Sequence, residues 1–186
     1  MKAKRNESSH GGIAVALHWI IAVGIVTLLV LGFAAGRAVS ESQQADILRV
    51  HITLGVSVLL LTLFRAIWWS LNRRPGRLSG QPLWQHHVAQ VTHALLYGVP
   101  VIAAASGIGL LIFSGAGPII FLHAPGPLPQ FEDFPPMAVH AIAAFTLIGL
   151  IVLHVVAALY HQVLRRDRLL ARMGIGRGQI FSIDGE

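Results

Sequence analysis

The chain contains no cysteine. That absence excludes disulfides, iron–sulfur ligation and thioether attachment of a cofactor through a C-x-x-C-H motif. Charge is also scarce. Of 186 residues only 12% are charged, and only 8 are acidic. The stretch 134–164 holds no Asp, Glu, Lys or Arg at all. What fills the space is hydrocarbon: 54% of the residues are hydrophobic, gathered in runs longer than the ~18 residues that mark a membrane helix. The run 13–35 is free of charge, 47–71 carries only Arg49 and Arg65 near its ends, and 84–113 and 136–164 are again uncharged.

These runs predict an all-α fold, a four-helix transmembrane bundle with helices at about 12–36, 47–71, 84–113 and 136–164. The whole of 1–186 reads as a single integral membrane domain, with 165–186 as a basic cytoplasmic tail. The first run resembles a secretory signal in having basic residues before it and Ala34-Ala35-Gly36 after it. Its apolar core is about twice as long as an ordinary signal core and contains His18, which favours a retained helix.

The net charge of +6 follows topology. Lys2, Lys4, Arg5, Arg65, Arg73, Arg74, Arg77, Arg165, Arg166, Arg168, Arg172 and Arg177 fall on one side, against Arg37 and Arg49 on the other. The positive-inside rule then expects both termini in the cytoplasm of a multi-pass inner-membrane protein. Trp19, Trp68, Trp69 and Trp84 fall near the same ends, as an interfacial aromatic belt does. This distribution argues against a nucleic-acid partner. The outer connection 114–135, rich in Gly and Pro, is expected to pack over the helix ends.

His140 and His154 lie fourteen residues apart in the charge-free last run. Fourteen steps of ~100° end ~40° short of four turns and advance ~21 Å. Both imidazoles therefore share one face at two depths of a layer ~30 Å thick. Because neighbouring helices run in opposite directions, His51 matches His140 in the outer half and His18 matches His154 in the inner half. A membrane histidine can simply be a hydrogen-bonded polar group, but two pairs matched by depth and face suit bis-histidine haem ligation. Each histidine is followed one turn later by a small residue, Ala22, Gly55, Ala144 or Ala158. His93 competes with His18 for the inner site, or serves as a hydrogen-bonding or quinone-facing residue. His161 suits a quinone headgroup or the plain interface. His86 and His87 read as headgroup-level, His123 as a loop residue and His10 as part of a tail. Arg65 shares the His51 face and reaches the inner leaflet, where it pairs with haem propionates or snorkels to the interface; Arg49 has the same choice outside.

Leu17-His18-Trp19, His51-x-x-x-Gly55 with Arg65, His93-x-x-x-Tyr97 with Pro100, and His140 with His154 through His161 together resemble the bacterial cytochrome b561 family. The stretch 166–173 after the last helix is similar as well, so that the resemblance covers about residues 12–173. It implies a four-helix cytochrome with two b haems ligated by His18–His154 and His51–His140. The implied activity is electron transfer across the inner membrane between a periplasmic donor and ubiquinone, as in a respiratory-chain oxidoreductase. Superoxide oxidation with ubiquinone reduction is one activity the family implies. A second expectation is a cytochrome b anchor and electron-transfer subunit of a dehydrogenase or hydrogenase. A histidine-based metal transporter is a third, from another class.

Overall fold

The computed structural model describes residues 12–71 and 83–165. The described residues are helical with no strand: α1 (Gly12–Ala35), α2 (Glu41–Leu71), α3 (Leu83–Ser114), the short α4 (Gly117–Leu122), a 3-10 turn (Phe131–Asp133) and α5 (Pro135–Val163). Of these, α1, α2, α3 and α5 are long and apolar enough to cross a membrane. Their outward faces are apolar too, with Val23, Val30, Leu60, Ile102, Ile142 and Val152 all exposed. Such a surface is stable only against lipid tails.

Local signals explain the helix ends. Helix α2 begins at Glu41, six residues before the apolar run at 47. Ser40 Oγ accepts the Gln43 amide at 3.2 Å, and Gln43 Oε1 reaches back to the Val39 amide at 3.0 Å. This is a variant of the capping box, and it holds a polar first turn that hydropathy cannot see. Gly115, at φ 66°, closes α3 in the left-handed region that a β-carbon disfavours. Pro135 and Pro136 open α5, where their missing amides are not needed.

The bundle is two hairpins. Helix α1 packs along α2 and α3 along α5, while α2 makes a lighter contact with α3. Glycine sets the first seam: a Cβ on Gly24 would lie 2.6 Å from Val58 Cγ2, so the backbones approach as small residues allow. A central layer of Ile21, Ile25, Val58, Val99, Ala143 and Leu147 ties the hairpins together at mid-depth. Between α1 and α5 the links are rings, His18 with His154 and Phe33 with Phe145.

A second cluster, Ala116, Ile120 and Leu128 with Ala45, Leu48 and Ile52, seats the outer connection on α2. Arg49 fastens it. Its Nε donates to the Ile120 carbonyl at 2.7 Å, Nη1 to Asp46 Oδ1 at 2.9 Å, and Nη2 lies 3.1 Å from His123 Nε2. Glu41 adds a bond from the Leu128 amide at 3.4 Å. The Arg49 guanidinium, expected either to meet outer propionates or to snorkel to the interface, is thus committed to the loop.

Candidate cofactor sites

Two imidazole pairs face each other across the gap between the hairpins. His51 of α2 and His140 of α5 have ring centres 6.1 Å apart, and His18 of α1 and His154 of α5 are 6.3 Å apart. The ring planes cross at 67° and 68°. Two imidazoles bound axially to one iron, each nitrogen ~2.0 Å from the metal, have centres roughly 6.3 Å apart. Both pairs fit that span. His93 of α3 also reaches His154, with centres 5.4 Å apart, about 0.9 Å short of the axial spacing. Among the described residues no three His, Asp or Glu side chains form a metal-ligating group, the constellation a zinc or copper site needs.

Backbone and glycines aim the outer pair. His140 Nδ1 lies 2.8 Å from the Ala103 carbonyl. A carbonyl only accepts, so Nδ1 carries the proton and Nε2 keeps its lone pair for a metal. The ring lies against Gly107, where a Cβ would stand 3.3 Å from Cε1. His51 lies against Gly32 in the same way, at 3.5 Å. Neither glycine follows a histidine by one turn, so the search for small residues along each ligand helix misses both. The signal was on the facing helices at matching depth. Gly55 instead meets Leu28 Cδ2 at 3.8 Å, an ordinary contact.

Beside the inner pair lies a cavity of about 70 Å³ lined by His18, Thr62, Arg65, Trp69, His93 and Tyr97 among others. Arg65 lies over two rings, 5.6 Å from the Trp69 centre and 5.5 Å from that of Tyr97. Its Nε is buried without a hydrogen-bond partner, and no acidic side chain among the described residues pairs with it. A guanidinium at this depth is costly unless an anion meets it. The carboxylates at the edge of a haem meet that need, so the donor set, the spacing and the orphaned cation all fit the group. His161 stands seven residues past His154 with its ring 5.6 Å from Tyr160. It is not among the cavity residues. His86 and His87 pair with each other at the start of α3. His10, and all basic residues of the inner side except Arg65 and Arg165, lie outside the described residues.

A membrane bundle with facing imidazoles at two depths is the architecture of a b-type cytochrome. The chain belongs to the prokaryotic cytochrome b561 family, whose model matches residues 9–176. Among curated proteins it is similar to cytochrome b562 of Cereibacter sphaeroides, 28% identical over 174 residues that span 90% of this chain and 96% of that one. Membership implies haem b and a membrane electron carrier, in a multi-pass bacterial membrane protein.

Proposed function

We propose that the chain is a di-haem cytochrome of the inner membrane that carries single electrons between a periplasmic donor and ubiquinone. His51 and His140 would hold the outer haem, and His18 and His154 the inner one. The observation that carries this reading is the ring spacing of 6.1 and 6.3 Å at two depths of α5. Haem held there by two imidazoles would supply a one-electron iron couple.

The rest is done by the chain. Arg65 would neutralise haem carboxylates at the inner site, with its guanidinium lying over the Trp69 and Tyr97 rings. His93 stays beside the inner site as a polar neighbour, and His161 offers a headgroup-level contact for quinone. The apolar layer around Ala143 and Leu147 keeps water out between the two sites. The excess of twelve basic residues over two supports a cytoplasmic inner side, with quinone reduced there and the donor outside. Superoxide is one donor the resemblance implies. Arg49 is already paired with Asp46, so it adds little steering for an anion.

Two stopped-flow experiments test the reading. Reduced protein mixed with a short-chain ubiquinone should be reoxidised; bands unchanged over seconds remove quinone as acceptor. Oxidised protein mixed with superoxide should be reduced faster than superoxide dismutes on its own. Equal rates remove superoxide as donor.

A further inference from the structure

In the outer pair, Nδ1 of His140 donates to the Ala103 carbonyl at 2.8 Å. A second donor reaches the same oxygen. Ser106 Oγ lies 2.9 Å from the Ala103 carbonyl and 3.3 Å from His140 Nδ1. Within α3 the Gly107 amide takes the same carbonyl as its regular helical acceptor. Three N–H or O–H groups therefore converge on one oxygen that has two lone pairs. Ser106 is 9% exposed, so its hydroxyl is held in this contact by packing.

A bond from Nδ1–H to an acceptor makes an axial imidazole a stronger electron donor and favours the oxidised metal. A hydroxyl drawing on the same carbonyl weakens that bond. We propose that Ser106 is a positioning residue that raises the reduction potential of the outer centre by sharing the Ala103 carbonyl with His140. The proposal rests on His140 being an axial ligand.

The test is an optical redox titration of the purified holoprotein, with the outer centre identified as the transition lost in His140→Ala. Ser106→Ala should lower the ratio of reduced to oxidised outer haem threefold to tenfold at a fixed potential, a midpoint ~28–59 mV lower. Ser106→Thr keeps the hydroxyl and should return the ratio to the parental value, while the inner transition stays put in both. An unchanged or raised ratio in Ser106→Ala overturns the proposal. If His140→Ala retains both haems with unchanged transitions, the ligand assignment itself fails and the proposal goes with it. Loss of one haem in His140→Ala with no shift in Ser106→Ala sinks the tuning role alone.

Discussion

Replacing Gly24 by alanine puts the α1–α2 seam under a measurable load. The added Cβ would stand 2.6 Å from Val58 Cγ2, about 1 Å inside ordinary carbon contact. Val58 is 4% exposed, and a valine on a helix has essentially one rotamer, so its methyl cannot swing away. The helices must separate. Overpacking of this kind costs ~1–3 kcal/mol, offset by up to ~1 kcal/mol of improved helix propensity. The expected net loss is about 1–2 kcal/mol. Val58→Ala alone loses buried packing, ~1–3 kcal/mol, but in the double variant the new methyl fills the vacated space. The pair should then be less damaging than the sum of the singles by at least ~1 kcal/mol. Reversible unfolding in mixed micelles followed by circular dichroism measures all four proteins. Because α1 carries His18 and α2 carries His51, Gly24→Ala should also lower haem occupancy, and Val58→Ala should restore it. Single effects that add within ~0.5 kcal/mol refute the close approach.

Two further outcomes follow from the same geometry. Arg65→Gln removes the inner cation and should cut the ratio of reduced to oxidised inner haem by roughly tenfold at fixed potential. Arg65→Lys keeps the charge but loses the guanidinium that lies over the Trp69 and Tyr97 rings, so it should fall between the parent and Arg65→Gln in a redox titration. Arg49→Ala removes the bonds to Ile120, Asp46 and His123 and should destabilise the outer connection by ~1–3 kcal/mol. Hydrogen exchange should rise across 115–134 while total helicity stays unchanged.

What the sequence made legible was governed by depth. Charge-free runs mark hydrocarbon-spanning helices, so the four long helices were readable. The first turn of α2 was not, because Glu41–Asp46 is polar and only the Ser40…Gln43 pairing betrays it. The histidine pairs were readable because helix direction and a ~1.5 Å rise per residue fix depth. Depth does not tell which helix lies across from which. Gly32 and Gly107 therefore went unnoticed, although they face His51 and His140. Arg49 shows the same limit in reverse. Its depth suits either the outer cofactor site or the interface, but Ile120 and His123 arrive from more than seventy residues away. No spacing rule anticipates such partners. His93 read as a rival of His18 because the two share a depth, and both do lie near His154. Only the ring separations distinguish them.

The most direct measurement is haem content per chain on purified protein, taken with a reduced-minus-oxidised spectrum of the parent and of His18→Ala, His93→Ala and His140→Ala. The account predicts two b haems in the parent, one in His18→Ala and one in His140→Ala, with both retained in His93→Ala. A parent with one haem or none, or a His93→Ala variant that loses a haem while His18→Ala keeps both, would contradict it.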